Sequence, residues 1–182
     1  MKGKDSYYSF HLPGKFDRIK GVTAIILKDS PQDKDLPEME RIDGKDWIGL
    51  RIKNKGKVTD LYINQLADGR LMHNNSWIEA DGWTTDAYMF AVTYKEGTAP
   101  AASKDIFVSY GSALRRGNDT YFSSLSKLFY IQNEVNGAVK LLIEGQPKVN
   151  ASFGQSNRPK SLLVNGKQMP VNYKGGILKV KY

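Results

Sequence analysis

The sequence predicts an all-β chain, an antiparallel β-sandwich of two layers built from short strands and hairpins. Three observations carry this. Apolar and polar residues alternate over short runs, the period of a strand with one buried face. Asn-Gly, Asp-Gly, Gly-Gly and Pro-Gly pairs recur between the runs, which is the punctuation of sandwiches and barrels rather than of alternating β and α units. No amphipathic helix of about ten residues or more can be drawn through the chain.

The stretch Trp83–Tyr94 organises the rest. From Ala87 onward it is apolar or aromatic on both parities, as in a strand covered on both faces, and it is predicted as one central strand. Tyr8, Phe10 and Leu12 share a parity and predict a first strand, closed by Pro13-Gly14; Gly21–Leu27 predicts a second. The polar, proline-bearing run Asp29–Pro37 cannot continue it, and a short helical turn is drawn at Pro37–Arg41.

Asp46–Lys53 alternates cleanly, with Ile48, Leu50 and Ile52 on one side and Trp47, Gly49, Arg51 and Lys53 on the other, which we take as the wet face. Asn54–Lys57 turns the chain into a strand where Leu61 and Ile63 oppose Tyr62 and Asn64. Ala67–Arg70 is a further turn, Leu71–Ala80 is irregular, and Asp81-Gly82 leads into the central strand. Beyond an exposed connection at Lys95–Lys104, strands are predicted through Ile106, Val108 and Tyr110, and at Leu128–Gln132, Val139–Glu144 and Val149–Phe153. The chain closes in hairpins: Leu162–Val164 runs into Asn165-Gly166, and Met169, Val171 and Tyr173 turn at Gly175-Gly176 into Leu178, Val180 and Tyr182. Lys179 and Lys181 face outward there, as on a protected edge.

At 182 residues the chain is long enough for one β-sandwich domain over 1–182 with a substantial core. Lys and Arg outnumber Asp and Glu by 27 to 19, a net charge of +8, which favours anionic partners without naming them. There is no cysteine, so disulfides, thiolate metal sites and a Cys nucleophile are excluded. No apolar run approaches the roughly 18 residues of a membrane-spanning helix. Met1–Asp5 lacks the apolar core of a secretion signal, which leaves a cytoplasmic chain or an excised mature fragment; strand-like sequence follows at once, which favours the fragment.

Chemistry is sparse. The histidines are His11, at a strand end, and His73, in the irregular passage beside Asn74, Asn75 and Trp77. Asp29, Asp33 and Asp35 are spaced like an acidic loop, but no glycine or distant glutamate completes an EF-hand, and no metal site is assigned. No phosphate-binding glycine loop, Gly-x-Ser-x-Gly elbow or dinucleotide fingerprint occurs. The tryptophans and arginines offer more. Flat aromatic rings pack on the C–H faces of sugars and guanidinium groups pair with carboxylates, so Arg70, His73, Trp77 and Trp83 are the candidate carbohydrate contacts. Arg115-Arg116 with Lys127 and Arg158 is a candidate basic patch. Each has a bland alternative in core packing or a solvated edge. A nucleic-acid partner is not expected, because no recognisable single-strand-binding module is present.

Asp81–Ala87, preceded by Ala67–Arg70 and followed by Tyr110–Leu114, resembles the C-terminal β region of the heparinase II/III-like polysaccharide lyases. The ending Pro159–Lys167, with Tyr173 and Gly176–Leu178, resembles the closing hairpins of many carbohydrate-active enzymes. In that family an α-helical toroid precedes the sheet region, and the lyase removes the proton beside a uronate carboxylate and eliminates the glycosidic oxygen. No position here matches the family's catalytic tyrosine or metal-binding histidines. The resemblance therefore implies a non-catalytic C-terminal sandwich without cofactor, partnered by an N-terminal α-helical catalytic domain, contacting acidic polysaccharide in the periplasm or outside the cell. The alternative is an independent carbohydrate-binding module.

Overall fold

The computed structural model describes residues 36–67, 76–144 and 148–181. Among these the protein is all-β and sandwich-like, with 14 strands and one 3-10 turn at Pro100–Ala102. The strands are β1 (Glu38–Asp43), β2 (Trp47–Asn54), β3 (Lys57–Asn64), β4 (Ile78–Ala80), β5 (Trp83–Thr85), β6 (Met89–Lys95) and β7 (Asp105–Arg116). There follow β8 (Asp119–Val135), β9 (Ala138–Glu144), β10 (Asn150–Gly154), β11 (Ser161–Val164), β12 (Lys167–Met169), β13 (Asn172–Lys174) and β14 (Ile177–Lys181). Pairing is antiparallel throughout the described residues except between β9 and β11, which run parallel. The predicted strands at Tyr8–Leu12 and Gly21–Leu27 and most of the Asp29–Pro37 loop lie outside the described residues.

One hydrogen-bonded ladder makes two layers because the β7–β8 hairpin bends and belongs to both. The first layer runs β1–β2–β3–β6, then the opening half of β7, the closing half of β8, and β9, β11 and β12. The second runs β4–β5, the closing half of β7, the opening half of β8, then β10, β14 and β13. At the corner β7 advances from Gly111 to Ala113 while its partners in β8 run from Leu128 to Ser123. Tyr110 takes a left-handed φ of 50° there, which turns it outward and breaks the Ile106–Val108–Tyr110 alternation that the sequence predicts. Extra residues on one strand of a pair bend it and strengthen its twist.

The inner faces meet through aromatic rings. Phe122 lies 4.4 Å from Tyr130 and Tyr130 5.3 Å from Phe153, while Trp83 reaches Phe90 at 6.2 Å, each contact crossing from one layer to the other. All five are buried, and such burial contributes about 2 kcal/mol per aromatic side chain relative to exposure.

Several expectations are corrected. Pro37–Arg41 is not helical: Glu38–Asp43 pairs with β2. The predicted central strand is two strands, because Asp86–Tyr88 carries the chain from the second layer (β5) to the first (β6). Trp47 is not on a wet face. It is 8% exposed and packs edge-on against Tyr62 at 5.2 Å. Both parities of β2 carry apolar groups, and on the Trp47 side Arg51 is held by the buried Asp60 carboxylate. Leu128–Gln132 is only the closing part of β8, whose 17 residues span both layers. Lys179 and Lys181 do face outward, but β14 lies between β10 and β13 as far as Lys179 and, among the described residues, has β10 alone beside it at Lys181.

Candidate functional site

β4, β5 and β7 lie side by side in the second layer, with Glu79, Thr84 and Arg115 in register across them. Odd-numbered residues of β4 point out, and the residue preceding the strand by one, Trp77, stays 45% exposed. The Arg115 guanidinium sits over the Trp77 ring, 5.9 Å from its centroid. Stacking of this kind leaves the guanidinium edge and one indole face available to solvent.

Trp83 has a different fate. It is fully buried between Phe90 and Tyr121, with the Arg116 guanidinium over its ring at 5.0 Å. Its ring therefore has no free face for a sugar. The inward parity of β5 at the layer interface sets this. Arg70 and His73 lie outside the described residues, as do His11, Asp29, Asp33 and Asp35. The candidate basic patch is dispersed among separate partners. Arg116 Nη1 donates to the Asp81 carbonyl at 2.8 Å, Lys127 Nζ to the Asp86 carbonyl at 3.3 Å, and Arg158 Nη2 to the Val171 carbonyl at 3.3 Å.

Two polar constellations escape the sequence reading. The first is the buried Asp60 carboxylate on β3. Arg51 donates to it through Nε at 2.7 Å and Nη2 at 3.0 Å, and the Tyr94 hydroxyl donates at 2.8 Å. The Tyr62 hydroxyl reaches Asp81 at 3.1 Å. Burial, then the Asp60 and Asp81 charges, push the Tyr62 phenol up; burial, then the hydrogen bond to Asp60, push Tyr94 up to about 12. The hydrogen bond to Asp60 likewise holds Arg51 more firmly protonated. Every member is satisfied by another, so the cluster reads as a polar core element rather than a reactive site.

The second is a groove of about 530 Å³ between the layers at one open end of the sandwich. The turn at Pro100–Ala102, both ends of β8, the end of β10 and the β13–β14 turn enclose it. Two glutamines line it. Gln132 continues the inward parity of Leu128 and Tyr130 on β8, and Gln155 continues that of Ala151 and Phe153 on β10. They are 2% and 8% exposed, and Gln132 Oε1 and Gln155 Nε2 have no hydrogen-bond partner among the described residues. A binary pattern scored only for apolar residues passes over them; an amide standing where the core stripe asks for an aliphatic group is the signal that was present.

Among the described residues no group of three or more His, Cys, Asp or Glu side chains is placed to hold a metal ion, and no helix is long and apolar enough to cross a membrane. The sequence matches no family model and no curated protein.

Proposed function

We propose that the chain is a non-catalytic β-sandwich that accompanies a polysaccharide lyase of the heparinase II/III-like kind and contacts acidic, uronate-containing glycan through Trp77 and Arg115. The observation that supports this reading most directly is the exposed Trp77 ring with the Arg115 guanidinium over it. A uronate residue presents a C–H face and a carboxylate side by side. The indole accepts the first through apolar contact, and the guanidinium edge accepts the second through paired hydrogen bonds. Arg115 is set by the paired strands β5 and β7, Trp77 stands one residue before β4, and the net charge of +8 draws a polyanion towards them. In this reading a helical catalytic domain supplies the bond-breaking chemistry, and the protein works in the periplasm or outside the cell.

Titration of the chain with heparin, chondroitin sulfate and alginate tests the proposal. Saturable binding is expected with at least one of them, weakened about tenfold by Trp77→Ala or Arg115→Ala and weakened further by added salt. Incubation with the same polymers is expected to give no ultraviolet absorbance from unsaturated uronate. Binding that ignores both substitutions, or elimination by this chain alone, overturns the reading.

A further inference from the structure

We propose that the groove between the layers is a second binding site, which takes an uncharged, hydroxyl-rich saccharide unit held by Gln132 and Gln155. It is independent of the polyanion reading, because it uses other residues and another chemistry.

Two amide atoms at the groove, Gln132 Oε1 and Gln155 Nε2, are without a partner among the described residues. A buried polar atom without a partner is costly, and its retention asks for something that pairs it. Gln132 Oε1 can only accept and Gln155 Nε2 can only donate. Both atoms have less than 1 Å² of accessible surface, so a ligand meets them only as the two amides rotate towards the groove, and one that answers both must donate and accept, as each hydroxyl of a sugar does. The cations and anions of the groove point away from a charged ligand. Lys104 is neutralised by Glu134 through a 2.7 Å contact, and Asp119 adds a second carboxylate to the lining. An anion would meet these carboxylates without a spare cation among the lining residues described.

The walls suit a ring-sized polar ligand. Tyr121 is half-buried, held by an edge contact to Trp83 at 4.8 Å, and its hydroxyl donates to the Ala101 carbonyl at 2.7 Å. It thus gives a fixed aromatic wall. A Cβ at Gly154 would stand 2.2 Å from the Thr120 carbonyl oxygen, so this stretch of wall must stay bare backbone. The volume falls within the range of small-ligand pockets and accommodates a mono- to disaccharide.

The test uses the whole chain, labelled with nitrogen-15, and follows the side-chain amide resonances of the two glutamines. The probes are glucose, galactose, N-acetylglucosamine and cellobiose, with a heparin tetrasaccharide as the charged comparison. At least one neutral sugar is expected to shift both amide pairs saturably, in about the millimolar range, and to do so equally at about 0.5 M salt. Gln132→Leu and Gln155→Leu are each expected to weaken that binding about tenfold or more without lowering the melting temperature, since each removes an unpaired polar atom. Ser156→Trp, an exposed position on the groove lining, fills the site from outside and is expected to abolish binding even if a leucine variant folds poorly. Trp77→Ala is expected to leave it unchanged. The proposal is overturned if no neutral sugar gives a saturable shift, if the shifts survive Ser156→Trp, or if the heparin fragment alone occupies the groove. Heparin binding that is absent, or that ignores Trp77→Ala and Arg115→Ala, with neutral-sugar binding intact removes only the earlier reading.

Discussion

At the scale of single residues, Tyr94 joins structure to a measurable pH dependence. Its hydroxyl donates to the buried Asp60 carboxylate at 2.8 Å, and burial, followed by this bond, raises its proton affinity to a pKa of about 12. In the unfolded chain a tyrosine titrates near about 10. The folded state therefore keeps a proton that the unfolded state loses between those values. Stability from this residue is complete below about pH 10 and falls as pH rises through 12. Tyr62 and Tyr130, raised in the same direction chiefly by burial, carry the decline further. Urea midpoints measured from about pH 8 to 11.5 are expected to hold level and then drop, with a shallower drop in Tyr94→Phe; a flat profile across that range contradicts the buried network. None of this was legible in the sequence. Arg51 and Trp47 alternate with Ile48, Leu50 and Ile52, and both faces have a claim to the core. The Trp47 side turns inward with Arg51 paired to the buried Asp60, an aspartate that composition alone places at the surface.

At the scale of elements, the corner made by β7 and β8 depends on one carboxylate from a third segment. Asp86 Oδ1 accepts the Ser112 and Ala113 amides at 2.7 and 3.1 Å, Oδ2 accepts the Ser112 hydroxyl at 2.7 Å, and Lys127 Nζ stands 3.9 Å away. These amides flank the register shift between Gly111 and Ala113, where β7 has no regular ladder to offer them. Asp86→Ala is expected to cost about 2–4 kcal/mol, because it strands buried donors next to a lysine that has lost its counter-charge. The check is a lowered urea midpoint together with faster amide exchange at Ser112 and Ala113; unchanged protection there shows that the bulge holds itself. The hairpins were legible because their information is local: Lys55-Gly56, Asn136-Gly137 and Asn165-Gly166 all take left-handed φ on both residues, as a two-residue turn between twisted strands requires. The corner was not, since Trp83–Tyr94 reads as one strand and the partner of the Asp86 carboxylate sits some 26 residues further along, at Ser112.

At the scale of the whole molecule, the sharing of β7 and β8 decides how the chain should unfold. The first half of β8 pairs with β10 and the second with β9, and β7 likewise pairs with β5 at one end and β6 at the other. Neither layer can come apart without exposing Phe122, Tyr130 and Phe153, whose rings lie across the interface. Losing one layer therefore removes the apolar cover of the other, and the intermediate with a single intact layer bears nearly the full cost of unfolding with only half the gain in chain entropy. The expected result is one transition, seen at the same temperature by far-ultraviolet circular dichroism, which follows the strands, and by near-ultraviolet circular dichroism, which follows the packed rings. Refolding is expected to be slow, in the millisecond-to-second range of β-proteins dominated by non-local pairing, because residues as distant in sequence as Trp83 and Arg116, or Phe122 and Phe153, must find register before the core closes. Two resolved transitions, with the near-ultraviolet signal lost first, show instead that the layers are separable and that the bent hairpin is a hinge between them.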